Sequence, residues 1–327
     1  MAKVTLQAIA DAAGTSKFAV SRALAGKSGV SNSTRERIVQ LASEMGYQRS
    51  KLQSVTTVAV LCEDAERING ELNQKIMSGI RDEAHDTGLE LIELQTTGAR
   101  QLSDVAERVD ALIFVGVNRP DMFAAAAEIG VPIVKIGTFE PLEQADIVRG
   151  TNYETGRVVA DIFIDHGHKH LVYVRGQRNF RGRQERFNGF YASTLTDPTL
   201  KVSDLRWTDE PDLQAKIDGL LAGPNPGTAF FCAHDGLAVT ILSELLSRNL
   251  SIPEDASIIG YGDYVAAQHV RPPLTTVNVP GVAFGREAIR LIRDRLTDPS
   301  RRAYSVRVQI PSEVTLRDTV AQCRFLN

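Results

Sequence analysis

The sequence predicts an α/β chain in which a three-helix unit at the amino terminus precedes two lobes of parallel sheet flanked by helices. Three observations carry this. From Thr5 to Met45, apolar residues recur at helical spacing between capping residues. From Val58 onward, seven continuous apolar runs of strand length (VAVLC, LELIEL, ALIFVG, PIVKIG, LVYVRG, TAFFCA and SIIGYG) alternate with segments of helical periodicity. These runs are too many, and spread over too much of a 327-residue chain, for one compact sheet.

The elements follow in order. Thr5 begins a first helix with the stripe Leu6, Ile9, Ala10 and Ala13, and Gly14 stands where a helix ends in a left-handed turn. Ser16 caps a second, whose stripe is Val20, Ala23 and Leu24, leaving Lys17, Phe18, Ser21 and Arg22 on the opposite face. A link of only Gly14, Thr15 and Ser16 is the spacing of a helix-turn-helix, in which the second helix enters the major groove of DNA. Ser31 or Ser33 starts a third helix, with Glu36 at capping-box distance from Ser33 and the stripe Ile38, Leu41, Ala42 and Met45.

Charge supports contact with phosphates. Residues 1–51 hold eight basic and three acidic side chains, a net +5, which leaves −8 for the rest of a chain whose formal charge is −3. Apolar content of 43% is that of a folded soluble protein. No apolar run approaches a membrane span and no secretory signal opens the chain, so the expectation is a cytoplasmic protein. Cys62, Cys232 and Cys323 are too few and scattered for a disulfide framework or a metal knuckle.

The run from Val4 to Tyr47 resembles, without a gap, the headpiece of the lactose-repressor and galactose-repressor (LacI/GalR) family of bacterial transcription regulators. The resemblance implies that Lys17, Phe18 and Arg22 face base edges, while Leu6, Ser16, Ser21, Ser31 and Thr34 hold the DNA backbone. The chemistry agrees: Arg22 suits a bidentate contact to guanine, Lys17 a guanine or a phosphate, and Phe18 a thymine methyl. Residues 1–50 then form the headpiece and 51–57 a linker. The linker departs from the family, lacking its usual Pro-Asn pair and hinge sequence, with Leu52 or Val55 as candidates for a minor-groove wedge.

The resemblance continues through TNYETGR at Thr151, DHGHKHLVYVRG at Asp165, RFNGF at Arg186, AHDGLAV at Ala233 and the segment from Ile259 to Pro280. It implies an effector-binding and dimerisation core over 58–327, similar to periplasmic sugar-binding proteins. One lobe would span about 58–150 and 281–308, the other about 151–279 and 309–320. Ligands of open α/β sheets bind beyond the carboxyl ends of strands, which points to Glu63, Asp64, Thr138, Arg175, His234, Asp235, Gly262 and Asp263. By resemblance Arg186 clamps the effector, Trp207 stacks on it and Asn73 contacts it from the first lobe. The effector residues are therefore Asn73, Thr138, Arg186, Trp207, His234 and Asp263, with Asp235 and Asp263 equally readable as helix caps.

Two departures point to the effector. His234 stands where the family commonly has Asn, and Gly262 where an Asp often binds a sugar hydroxyl. Loss of a carboxylate and gain of a possible imidazolium favour an anionic ligand such as a sugar acid, and the YGDY and PPLTTVNVP segments are similar to the gluconate-responsive branch. Other chemistry is weaker. Ala25 to Ser28 lacks the strand and first glycine of a P-loop, and the alternating His166, His168 and His170 straddle a helix end and a strand start. No catalytic motif is present, and no cofactor or metal is expected. The expectation is a ligand-responsive regulator, a repressor of carbohydrate or sugar-acid genes, acting as a homodimer on pseudopalindromic double-stranded DNA. A cytoplasmic sugar-binding protein, or a sugar-modifying enzyme with an appended DNA-binding module, is the alternative.

Overall fold

A computed structural model describes residues 5–24, 30–45, 56–62, 70–95, 102, 105–117, 119–137, 139–176, 180–222 and 226–324. The linker, with Leu52 and Val55, lies outside the described residues, as do Glu63, Asp64 and Thr138.

The amino-terminal unit is built from local signals. Helix α1 (Leu6–Ala13) is capped by the Thr5 hydroxyl, which accepts from the Ala8 amide at 3.2 Å. It ends at Gly14, whose φ of +63° is a left-handed conformation that suits glycine. The Ser16 hydroxyl accepts from the Ala19 amide at 3.1 Å and opens α2 (Lys17–Leu24). Helix α3 (Asn32–Glu44) is capped by Ser31, not Ser33, through the Thr34 amide at 3.2 Å. Glu36 is therefore two residues too far along for a capping box, which corrects that expectation. Ile9, Ala10, Val20, Ala23, Ile38 and Ala42 are buried together. Arg35 adds a tie from α3 to the Ala23 carbonyl at 3.2 Å, at the end of α2.

Beyond it are two six-stranded sheets. The first has the order β11-β5-β4-β3-β1-β2, all parallel. Its strands are β1 (Thr57–Cys62), β2 (Glu90–Gln95), β3 (Ala111–Val115), β4 (Ile133–Ile136), β5 (Asp146–Gly150) and β11 (Arg307–Ile310). The second has the order β12-β10-β9-β8-β6-β7, parallel except for β12. It comprises β6 (His170–Val174), β7 (Lys201–Leu205), β8 (Ala229–Cys232), β9 (Ser257–Gly262), β10 (Thr275–Asn278) and β12 (Glu313–Thr315). Central strands such as β3, β6 and β9 are buried along their whole length, as continuous apolar runs require when helices cover both faces.

The chain passes between the sheets after Gly150, between Asn278 and Gly281, and between Ile310 and Glu313. Helices flank these passages in two close pairs. In the first sheet's lobe, α4 (Gly70–Thr87) meets α11 (Gly281–Thr297) backbone to backbone: a Cβ on Gly79 would lie 2.0 Å from the Val282 carbonyl oxygen. In the other, α6 (Asn152–Asp165) meets α7 (Arg181–Ala192) in the same way, with a Cβ on Gly156 falling 2.0 Å from the Arg186 carbonyl oxygen. Further helices are α5 (Pro120–Ile129), α8 (Glu210–Leu221), α9 (Asp235–Ser247) and the short α10 (Val265–His269).

The three alternating histidines turn to separate partners. His166 bonds the Ile162 carbonyl at 2.7 Å, His170 the Ser203 hydroxyl at 2.8 Å, and His168 the hydroxyls of Thr228 and Ser257, both at 2.9 Å. Burial pushes His168 down to about 4, so its neutral ring is the folded form. Between roughly pH 6.5 and 4 the unfolded chain binds the extra proton, so stability is complete above this window and falls within it. His168→Gln is expected to flatten that decline by up to about 1.4 kcal/mol per pH unit. Urea unfolding of both proteins at pH 7 and pH 5 checks this, and identical slopes would refute it.

Candidate nucleic-acid interface and effector cleft

Helix α2 presents a face that the small core leaves free. Lys17, Phe18 and Ser21 are exposed, and Phe18 keeps 63% of its surface accessible, unusual for a large apolar side chain. The Arg22 guanidinium lies 5.4 Å from the centre of the Phe18 ring, so an apolar group and a forked donor sit side by side. Ser16 and Ser31 cap their helices, and the Ser31 hydroxyl lies 2.7 Å from that of Thr34. Leu6 is half-buried at the edge of the headpiece core.

The second candidate site gathers at the carboxyl ends of β8 and β9. Arg186 projects from α7, 6% exposed, with its guanidinium 3.7 Å from the Tyr261 ring centre. Its Nη1 donates to the Asn152 side-chain oxygen at 2.5 Å and its Nη2 to the Ala233 carbonyl at 3.1 Å. The Tyr261 hydroxyl donates to the same Asn152 oxygen at 3.3 Å. Asn152 and Tyr261 were not among the sequence candidates. Asn152 follows β5, a strand that the apolar-run reading passes over, and Tyr261 is the penultimate residue of β9, just inside the strand end that the rule inspects.

His234 adjoins this group, but not as a cation. It is the N-cap of α9, its Nδ1 accepting from the Leu237 amide at 3.3 Å. Burial first, then the charges of Arg183 and Arg186, push it down to about 4, so the imidazolium expected from the sequence is absent at neutral pH. The alternative reading of the nearby aspartates as helix caps does not hold, since His234 and Tyr264 occupy the cap positions. Asp235 is fully buried and joins two segments, accepting from the Thr276 hydroxyl at 2.5 Å and the Tyr264 amide at 2.7 Å. Asp263 sits at φ +49°, its carboxylate held by Arg317 at 2.6 Å. Gly262 has φ +131°, and a Cβ there would come within 2.5 Å of the Tyr264 ring, a physical reason why no aspartate occupies it.

The other candidates are more dispersed. Asn73 is half-buried on α4, its side-chain oxygen near Gly116 at the end of β3. Trp207 follows β7, the edge strand, and packs half-buried against the lobe's core. Contacts from α4 and from α7 span the lobes. Lys75 on α4 donates to the carbonyls of Gly262 at 3.4 Å and Asp263 at 3.0 Å, and Glu71 accepts from the Val265 amide at 2.9 Å. On α7, Glu185 pairs with Arg149 of β5, and Arg181 reaches the Phe139 carbonyl at 3.1 Å. The helix that carries Arg186 is thereby fastened to the opposite lobe. A groove of about 760 Å³ opens beside the Lys75 tie, lined by Glu71, Asp263, Asn278 and Arg286, and Arg186 is not among its walls.

Residues 5–50 match the bacterial regulatory proteins of the lacI family, and residues 160–320 match a periplasmic binding protein-like domain. The HTH-type transcriptional regulator CelR of Thermobifida fusca is 27% identical over 339 residues, covering 96% of this chain and 98% of its own. The HTH-type transcriptional repressor PurR of Vibrio campbellii is 25% identical over 340 residues, covering 97% and 98%. Among solved structures, the transcriptional regulator CelR–cellobiose complex superposes with a TM-score of 0.68 at 27% identity, covering 97% of this chain and all of that one.

Proposed function

Because the chain belongs to the lacI family of bacterial regulatory proteins, and is a DNA-binding transcription regulator rather than an enzyme, we propose that it represses by gripping a pseudopalindromic operator as a homodimer. A sugar-derived effector held between the lobes sets that grip. The observation that carries the DNA reading is the exposed Phe18 beside Arg22 on the second helix of a headpiece whose sequence is net positive. Dimerisation follows from information content: one headpiece reads too few base pairs for a unique site, and two related by symmetry read twice as many. No described helix is long and apolar enough to cross a membrane, and a regulator of this family works in the cytosol, where its operator is.

The sugar reading rests on Arg186, Asn152 and Tyr261 at the strand ends, and on the cellobiose named in the structure of the relative CelR. Ligand acts by differential affinity for two lobe arrangements, and the ties of Lys75 and Glu185 across the lobes are where that difference is felt. Fluorescence anisotropy with operator selected from random DNA, titrated with a panel of sugars, tests the scheme. The expected outcome is salt-dependent, sequence-selective binding that one sugar class changes at least about tenfold. Equal affinity for selected and random DNA at matched salt would overturn it.

A further inference from the structure

We propose that the seam between the lobes holds an anion site of its own, built by Arg149, Arg181 and Arg307 around the ring of Phe139, and that it takes a phosphate group.

Three cations converge on one apolar side chain, and they come from both lobes. Phe139 follows β4 and is 8% exposed. Arg149 of β5 and Arg307 of β11, neighbouring strands of the first sheet, bring their guanidinium carbons to 4.9 and 4.4 Å from the centre of its ring. Arg181, the first residue of α7 in the other lobe, comes to 4.1 Å. All three guanidiniums thus gather around one point, within reach of a single tetrahedral oxyanion that accepts from two of them.

One carboxylate stands against these three charges. Glu185 accepts from Arg149 Nη1 at 3.2 Å and from Arg181 Nε at 3.1 Å. Arg181 spends Nη1 on the Phe139 carbonyl, and Arg149 spends Nε on the Gly150 carbonyl at 3.3 Å. Arg307 is exposed and makes no hydrogen bond or ion pair among the described residues. Glu143 and Asp146, acids of the same part of the chain, are taken by Lys135 and Arg295, and exposed Glu140 forms no ion pair among the described residues. The cluster therefore carries two positive charges that no described carboxylate offsets. That surplus is local, since the chain beyond residue 51 is net −8.

A ring face returns only part of what neighbouring cations lose by mutual repulsion. What Phe139 does supply is placement: it holds the Arg307 fork without using any of its N–H groups, so an incoming anion meets a donor already in position. A carboxylate brings one charge in one plane. A phosphate brings up to two, with oxygens arranged around a tetrahedron, which suits a surplus of two and forks arriving from different elements. An anion shared by Arg181 and Arg307 adds to the tie that Glu185 makes, and so favours this arrangement of the lobes. The site is separate from the Arg186 group, whose partners are Asn152, Ala233 and Tyr261; Asn152 joins the two by donating to Glu185 at 3.5 Å.

Thermal unfolding of the full chain in low-millimolar inorganic phosphate or pyrophosphate, against chloride at equal ionic strength, tests this. A rise of at least ~2 °C in the midpoint is expected in one or both anions. Arg307→Gln removes an exposed side chain held by the ring alone, so it should leave the midpoint in chloride within about 1 °C of the parent's and abolish the rise. Arg307→Lys should keep part of it. Glycerol 3-phosphate in place of inorganic phosphate separates the sources: a larger rise assigns a phosphate ester, and an equal or smaller one the free ion. No rise in the parent with either inorganic anion would overturn the site. So would a rise that survives Arg307→Gln, with its loss in Arg22→Ala placing the anion on the headpiece and its loss in Arg186→Gln placing it in the cleft.

Discussion

Arg22→Ala is expected to weaken binding to the selected operator by at least about thirtyfold, while binding to random DNA at the same salt falls only a few-fold. The asymmetry follows from what each contact reads. A bidentate guanidinium–guanine pair contributes about 1–3 kcal/mol of discrimination, and a symmetric dimer loses two such pairs at once. Loss of one charge from the non-specific interface removes about one counterion's worth of salt dependence and little else. The fold should tolerate the change, because the headpiece core is made of Ile9, Ala10, Val20, Ala23, Ile38 and Ala42, and Arg22 lies on the opposite face of α2 beside exposed Phe18. Anisotropy titrations of both proteins on both DNAs, at two salt concentrations, measure it. An equal loss on the two DNAs would make Arg22 a phosphate contact and move base reading to Lys17 and Phe18.

The headpiece was legible because its signals are local. Thr5, Gly14 and Ser16 act on helices within four residues of themselves, and the stripes around Ile9 and Val20 need only helical geometry. The long apolar strands were legible for a similar reason, since β3 and β9 are hydrophobic without any reference to a partner. The strands passed over are β5, β7, β10, β11 and β12, which are short, polar or at sheet edges. Strand β5 is the instructive one: it is buried throughout, yet two of its five residues are Asp146 and Arg149, neutralised by Arg295 and Glu185 from distant parts of the chain. No period or propensity foretells such a strand.

The proposed effector cleft divides along the same line. Arg186, read from the resemblance, and His234, read from the strand-end rule, lie near the ends of β8 and β9. Their electrical states do not follow from sequence. The protonation of His234 is set by burial and two arginines, and the engagement of Asp263 by Arg317, 54 residues further on. Asn152 was hidden because the strand before it was.

The same distant pairing gives the largest stability effect. Asp146→Ala is expected to destabilise the chain by about 3–5 kcal/mol, because it strands Arg295 as a buried charge without its carboxylate. The pair is nearly inaccessible, with Nε and Nη2 of Arg295 each 2.6 Å from one carboxylate oxygen, and Asp146 also accepts from the Val306 amide at 2.7 Å. One side chain thus holds the start of β5, the carboxyl end of α11 and the approach to β11. Replacing both partners, as in Asp146→Leu with Arg295→Met, should recover much of the loss, since two apolar groups leave no charge to solvate. Denaturant unfolding of the single and double variants separates the two contributions. Single and double variants of equal stability would mean that the missing Val306 hydrogen bond and the altered packing, rather than the stranded charge, account for the cost.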